Sequence, residues 1–192
     1  MPIKEQANNP TRQKEVVDIC LQQFMQKGLF KTSMRDLSKA LNMESSGLYY
    51  YFKSKDDIVV ACAEEAGIRM ETMLLLPILD CMDNDENCMD RAEKRMAEME
   101  PIMKYFAQVC TTSEYREAMQ PVLDRLKERH AGYAVKFAEH LNCKPEEIEP
   151  YLSACVALVA NRMIFGEDFY YVKPFQIIAS AIQSFQERQQ KK

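Results

Sequence analysis

Residues 43–57 read MESSGLYYYFKSKDD and place three consecutive tyrosines between a pair of serines and a pair of lysines. Hydroxyl and ammonium groups donate hydrogen bonds to phosphate oxygens, so the stretch is suited to holding a polyanion. On a helix successive side chains point about 100° apart. If Leu48 and Phe52 share the core face, Tyr50 points nearly opposite. Tyr50 is then either an idle surface aromatic or a contact to something outside the protein.

The surrounding residues predict two short helices joined by a turn. Ser33 can cap the first helix, with Asp36 in its first turn. Asn42 tolerates the left-handed backbone conformation that such a turn often requires. The second helix is predicted from about Ser45 to Tyr51. This is the helix-turn-helix arrangement, whose second helix enters the DNA major groove with its N-terminal residues at the base edges.

The rest of the chain also favours helices, because no segment shows sustained period-two alternation between turn residues. The predicted fold class is all-α. A first helix runs from Arg12 to about Lys27 and ends at Gly28. A fourth helix, capped by Ser54, is expected to end near Leu76 because Pro77 follows. Further helices are expected at residues 89–110 with an interruption at Pro101, across 119–141, across 151–165, and from Pro174 to the polar tail.

Charge divides unevenly along the chain. The whole chain has 25 basic and 29 acidic residues, a net charge of −4. Through Lys55 there are nine basic and five acidic residues, so the first part carries +4 and the remainder −8. A basic first module on an acidic body predicts a polyanionic partner for the first module alone.

Several functional classes find no support. The 192 residues contain no phosphate-binding loop, nucleophile elbow, zinc-protease motif or dinucleotide fingerprint, and only two histidines, so we expect no enzyme and no cofactor. The seven cysteines include no C-x-x-C pair, which predicts neither a metal site nor a disulfide framework, while a redox role for one of them stays open. Apolar runs are too short to cross a membrane, and no secretory signal begins the chain, so a cytoplasmic protein is expected.

The segment from Phe24 to Asp56, FMQKGLFKTSMRDLSKALNMESSGLYYYFKSKD, resembles the DNA-binding domain of the tetracycline-repressor (TetR) family. The resemblance covers roughly residues 12–60. Its hallmarks are Gly28, Thr32, Ser33, Leu37, Met43, Leu48, Tyr49, Tyr51, Phe52, Ser54 and Lys55. Asn42 and Ser38 replace the usual turn glycine and alanine. Glu44 replaces the usual serine or threonine cap, which predicts a shift of the cap to Ser45 and a contribution of Glu44 to base choice through a cytosine amino group.

The resemblance implies a DNA-binding domain at residues 1–55 and a larger helical ligand-binding and dimerisation domain at 56–192. The residues expected to contact double-stranded DNA are Thr32, Ser33, Arg35, Glu44, Ser45, Ser46, Gly47, Tyr49, Tyr50 and Lys55. It also implies a homodimer that reads a palindromic operator, with recognition helices about 34 Å apart. The last two helices of each subunit would form the interface, and they carry more apolar surface than one small subunit needs. The expected interface residues are Leu152, Val156, Val159, Met163, Phe175, Ile178, Ile182 and Phe185.

Family members are mostly repressors that a ligand releases from DNA, so the resemblance implies an unidentified small-molecule effector. A flexible apolar pocket is expected around Met96, Met103, Phe106, Cys110, His130, Tyr133 and Phe137, although each of these also fits an ordinary core position. The alternative is a DNA-binding scaffold without a small ligand, whose C-terminal domain binds another protein.

Overall fold

Eight α-helices and one short 3-10 turn account for nearly all the residues that the structure describes, which are 10–82, 88–166 and 174–190. The structure is a computed structural model. Over these residues there is no strand, and the all-α prediction is confirmed. In chain order the helices are α1 Pro10–Lys27, α2 Met34–Ala40, α3 Ser45–Tyr51, α4 Lys55–Met82, α5 Cys88–Thr111, α6 Arg116–Leu141, α7 Pro145–Phe165 and α8 Pro174–Gln190, with the 3-10 turn Ser113–Tyr115 before α6.

The first helix forms because its apolar residues recur on one side. Val16, Cys20 and Phe24 follow one another at intervals of four, and all three are buried. The helix ends at Gly28, whose φ of +91° is a left-handed conformation that favours glycine. The chain can therefore turn at once into the segment that precedes α2.

The chain divides into two compact units. The first comprises the described residues up to Ile68 together with Tyr105–Leu123, and the second comprises those in Arg69–Lys104 and Asp124–Lys192. The core of the first unit includes Phe24, Leu37, Leu48, Ile58 and Tyr105. The helix-turn-helix thus lies in a unit that also contains a segment from much later in the chain.

The second unit contains the pair α7 and α8, which pack against each other. Ile148, Leu152, Cys155 and Val159 supply buried side chains from α7, and Ile178 does so from α8. Because these residues recur at three and four positions, each helix presents a continuous apolar stripe to the interior of the unit.

The prediction that the fourth helix ends before Pro77 is wrong, because α4 continues through Pro77 to Met82. An interior proline costs roughly 3 kcal/mol through a lost hydrogen bond and a steric clash. Leu74, Leu75, Ile78 and Leu79 surround it and are all buried. Burial of each such side chain contributes about 1.5–3 kcal/mol, so packing outweighs the cost of the proline. Helix α5 likewise continues through Pro101.

Across the described segments, no helix combines the length and the apolar character needed to span a lipid bilayer.

Candidate nucleic-acid interface

The segment between α1 and α2 is fixed from within. The hydroxyl of Thr32 donates a 2.8 Å hydrogen bond to the carbonyl oxygen of Gly28, and Thr32 is only 1% exposed. The bond satisfies a carbonyl at the C-terminal end of α1 that the helix itself leaves unpaired. Thr32 was expected to contact DNA, but its side chain is enclosed in the protein. We therefore assign Thr32 a structural role in this turn.

Helix α2 begins with a reciprocal cap, as the sequence predicted for Ser33. The Asp36 amide donates to the Ser33 hydroxyl at 3.2 Å, and the Ser33 amide donates to the Asp36 carboxylate at 2.9 Å. Lys27 adds an ion pair with Asp36 at 2.8 Å. The hydrogen bonds from Lys27 and Ser33 hold the pKa of the Asp36 carboxyl well below its usual range. Arg35, on the same helix, is exposed to solvent.

The turn between α2 and α3 is made by Asn42, whose φ of +50° is left-handed, as predicted. The Met43 amide then donates to the Ser38 carbonyl at 3.0 Å, which closes the turn. Ser38 is buried, and its own hydroxyl donates to the Met34 carbonyl. The hydrogen bond between Met43 and Ser38 joins the residues on either side of Asn42, and it therefore helps to fix the direction in which α3 leaves α2.

Helix α3 presents the arrangement expected of a recognition helix. Leu48 is fully buried and Phe52 is 7% exposed, while Tyr49 and Tyr50 are 53% and 40% exposed. Ser45 and Ser46 are also exposed, and Gly47 is half-buried. The serines at the start of the helix and the two tyrosines farther along therefore form an edge of hydroxyl groups open to solvent. Hydroxyls can donate to phosphates and accept from or donate to base edges.

Glu44 occupies the cap position of α3, so the expected shift of the cap to Ser45 is wrong. Its backbone is extended, with φ −71° and ψ 154°, and its side chain makes no capping hydrogen bond. The carbonyl of Glu44 instead accepts from the amides of Gly47 and Leu48. The helix therefore starts at Ser45, as predicted, although its cap residue is Glu44 and the Glu44 side chain is left exposed.

Arg12 also lies at this surface, although it is not among the residues expected to contact DNA. The Glu15 carboxylate, 2.7 Å away, raises the pKa of the Arg12 guanidinium, and the Tyr51 hydroxyl raises it further. Tyr51 in turn lies edge-to-face with Tyr50, with ring centroids 6.3 Å apart. Arg12 therefore lies beside α3 through a contact that spans 39 residues of sequence. The only local signal was a basic residue in the first turn of α1.

Lys55 is not a free cation at the surface. Its Nζ donates a 2.9 Å hydrogen bond to the Leu29 carbonyl, 26 residues earlier in the chain. Ser54 and Asp57 cap the start of α4 reciprocally, with bonds of 3.0 and 3.1 Å. Lys55 was expected to contact DNA, and its ammonium group also helps to hold the turn after α1 through one of its three donors. Within the described residues, no group of three or more metal-ligating side chains is present.

The residues expected to line a ligand pocket fall in both compact units. Phe106 and Cys110 are half-buried in the first unit, while Met103, Tyr133 and Phe137 are buried in the second. His130, half-buried in the second unit, lies 3.4 Å from Glu71 through Nδ1 and 3.2 Å from the Ser153 hydroxyl through Nε2. Met96 lies outside the described side chains. His130 thus has polar partners within its own unit.

The residues expected at a dimer interface fall into a buried group and a half-buried group. Leu152, Val159, Ile178 and Phe185 are buried within one subunit, and their packing role is internal. Three of the expected residues are half-buried and retain surface, namely Val156, Met163 and Ile182. Phe175 lies outside the described side chains. A cleft of about 440 Å³ lies on the same helix pair, lined by Tyr151, Gln176, Ile177, Ser180, Ala181 and Ser184.

Comparisons with known proteins agree with this geometry. The model of the tetR family of bacterial regulatory proteins matches residues 18–62, which include α2 and α3. The HTH-type transcriptional repressor KstR2 of Mycobacterium tuberculosis is 26% identical over 140 residues, which cover 71% of this chain and 68% of that protein.

Solved structures share the fold at low sequence identity. A TetR-family transcriptional regulator from Mesorhizobium loti has a TM-score of 0.62 at 12% identity, covering 90% of this chain and 94% of that one. The multidrug binding protein EbrR, solved with imidazole, has a TM-score of 0.58 at 17% identity, covering 94% and 93%. The helix-turn-helix of this chain, over residues 18–62, therefore matches the DNA-binding segment of the tetR family of bacterial regulatory proteins.

Proposed function

We propose that this protein is a repressor that binds a palindromic operator as a homodimer and is released by a small, largely apolar ligand. The observation that carries the proposal is the exposure of Tyr49 and Tyr50 on a helix whose opposite face, at Leu48, is fully buried. Because Leu48 anchors the opposite face of the helix in the core, Tyr49 and Tyr50 point outward, where their hydroxyls can bind a phosphate backbone. We place its action in the cytoplasm, where the DNA is.

The proposed DNA surface has a hydroxyl edge and a cationic flank. Ser45, Ser46, Tyr49 and Tyr50 form the edge, and Gly47 lets the backbone approach the groove closely. The flank is provided by the exposed Arg35 and by Arg12. Helix α3 supplies base contacts through its first residues, and the tyrosines and arginines fix its register on the phosphates.

Repression is supported by the relative KstR2, which is described as a transcriptional repressor. Release by a ligand is supported by the division of the chain into a unit with the helix-turn-helix and a separate second unit. The effector must bind the DNA-incompetent conformation more tightly than the competent one. EbrR, which shares the fold, is described as a multidrug binding protein, consistent with an apolar effector.

Dimerisation is assigned to α7 and α8. Val156, Met163 and Ile182 keep apolar surface after the subunit has folded. These residues, rather than the fully buried Leu152 and Ile178, are the proposed contacts between subunits. Two recognition helices about 34 Å apart would then meet successive major grooves.

The test is fluorescence anisotropy with the DNA upstream of the gene, at two salt concentrations. We expect saturable binding that weakens as salt rises, because phosphate contacts release counterions. Tyr50→Phe, which removes one hydroxyl, should weaken binding by about 1 kcal/mol per subunit. Ser113→Ala is the matched control, since it removes one exposed hydroxyl of the same compact unit outside α3, α7 and α8, and it should bind as the wild type does. If both variants bound the operator with the same affinity, the proposed contact between the tyrosine edge and DNA would be contradicted.

The alternative function is a DNA-binding scaffold whose second unit binds another protein. A ligand screen distinguishes it from a ligand-released repressor. A ligand sensor should gain thermal stability with some apolar compound and lose operator affinity in its presence. A scaffold should do neither with any compound in the screen.

A further inference from the structure

The side chain of Glu44 makes no capping hydrogen bond, and among the described residues of the first unit it has no hydrogen-bond or ion-pair partner, unlike the other cap residues nearby. At the start of α2, Ser33 engages Asp36, and at the start of α4, Ser54 engages Asp57. Glu44 holds the same position at the start of α3, but only its backbone carbonyl takes part in the helix start. Its carboxylate is exposed beside Ser45 and Ser46. Within the part of the chain that the structure describes, this carboxylate therefore takes no part in holding the start of α3.

The carboxyl group of Glu44 differs chemically from the exposed side chains of α3, which are hydroxyls. The serine and tyrosine hydroxyls can both donate and accept, so they can bind phosphates. A carboxylate only accepts, and phosphates repel it. At the N-terminal end of a recognition helix, where base edges are reached first, the groups left for it are amino donors in the major groove.

Two bases offer such a donor, and their surroundings differ. Adenine carries its N6 amino group beside the N7 acceptor, which would face the second carboxylate oxygen unfavourably. Cytosine itself carries an N4 amino group and no acceptor of its own in the major groove, and a carboxylate accepting from this group is a recognised pairing. The positive end of the α3 dipole also offsets the charge of a carboxylate held at this cap.

We propose that Glu44 is a specificity-determining residue, whose carboxylate accepts a hydrogen bond from the N4 amino group of a cytosine in each half of the operator. The proposal rests on the proposed function, and it adds which base is read and by which atom. A cytosine is then required at one defined position of each half-site. Replacing that base pair should weaken wild-type binding about fivefold or more.

The substitution Glu44→Gln gives the sharpest prediction. A carboxamide has a donor and an acceptor, and it pairs with the N6 and N7 groups of adenine. The variant should therefore shift the preference from cytosine to adenine at that one position and leave the others unchanged. Glu44→Ala should remove the preference there without creating a new one.

The experiment selects bound duplexes from a library of DNA with randomised positions and sequences them. It compares four full-length proteins: the wild type, the two Glu44 variants and Glu114→Ala. Glu114 is an exposed carboxylate in the same unit, so its removal changes the charge equally without touching α3. We expect Glu114→Ala to keep the wild-type motif. The melting temperatures of both Glu44 variants should be close to that of the wild type, because no side-chain capping bond is lost. Ser33→Ala, which does lose a capping bond, should melt at a lower temperature.

The outcomes separate the two proposals. A wild-type motif with cytosine at one position per half-site, changed at that position by Glu44→Gln and Glu44→Ala alone, supports the inference. A wild-type motif that both variants reproduce at every position overturns it and leaves the proposed function standing. A wild type that enriches no motif overturns the proposed function, and this inference with it.

Discussion

The hydroxyl of Tyr105 donates a 3.0 Å hydrogen bond to the carbonyl oxygen of Val59, which lies 46 residues earlier in the chain. The Tyr105 ring also stacks on Phe24, with centroids 5.7 Å apart and planes 16° apart. Tyr105 is 3% exposed. A single side chain of α5 thus binds both α4 and α1, within the unit that contains the helix-turn-helix.

Removing this hydroxyl should destabilise the protein. In Tyr105→Phe the ring and its stacking on Phe24 remain, but the buried hydrogen bond is lost, which costs about 1–2 kcal/mol. Urea unfolding followed by circular dichroism measures the difference. The exposed Tyr50→Phe should change stability by less than about 0.5 kcal/mol. Equal effects of the two substitutions would contradict the role given to Tyr105.

Asp36 predicts a dependence of stability on pH. Its pKa is lowered in the folded state by Lys27 and Ser33, so its stabilising contribution is fully present above the unfolded value of about 3.9. The contribution is lost as the pH falls through the folded pKa. The melting temperature of Asp36→Asn should therefore lie below that of the wild type at pH 7, and the gap should narrow below about pH 4. A difference in melting temperature that stays constant as the pH is lowered below about 4 would refute this role of Asp36.

The role of Thr32 can be tested by separating stability from DNA binding. Thr32→Val keeps the shape but loses the hydrogen bond to the Gly28 carbonyl, so stability should fall by about 1 kcal/mol. Thr32→Ser retains the hydroxyl and should lose less. Operator affinity per folded molecule and its salt dependence should be unchanged in both variants. Weakened operator binding by Thr32→Val at unchanged stability would instead place Thr32 at the DNA.

Several thiols should resist modification in the native protein. Burial raises the pKa of Cys20 and of Cys155 to about 12 and that of Cys110 to about 11. Because the thiolate is the nucleophile, these residues should react slowly at pH 8. Brief exposure to iodoacetamide followed by peptide mapping measures each site, and the half-buried Cys143 should be labelled before these three. A control in urea should label all seven cysteines. Rapid native labelling of Cys110 would contradict the raised pKa of its thiol and favour a sensing role.

Local chemistry made most of the helix-turn-helix predictable. The bounds of α3, the cap at Ser33 and the left-handed Asn42 all depend on residues within four positions of one another. Long-range contacts were not predictable in this way. The Lys55 ammonium binds a carbonyl 26 residues away, and Arg12 lies beside Tyr51 across 39 residues. Pro77 was read as a helix end because its local cost is visible in the sequence, whereas the burial of its neighbours is not.

The first compact unit is assembled from two separate stretches of chain, up to Ile68 and from Tyr105 to Leu123. After Ile68 has been made, a ribosome must add 55 more residues, 123 minus 68, before the last part of that unit exists. At about 5–20 residues per second, this delay is roughly 3–11 seconds. For the first 37 of these residues, 105 minus 68, Phe24 and Val59 lack Tyr105, so this part of the core of the unit is incomplete until Tyr105 has been made. A premature stop codon in this interval would yield a chain with the whole helix-turn-helix sequence but an incomplete unit around it.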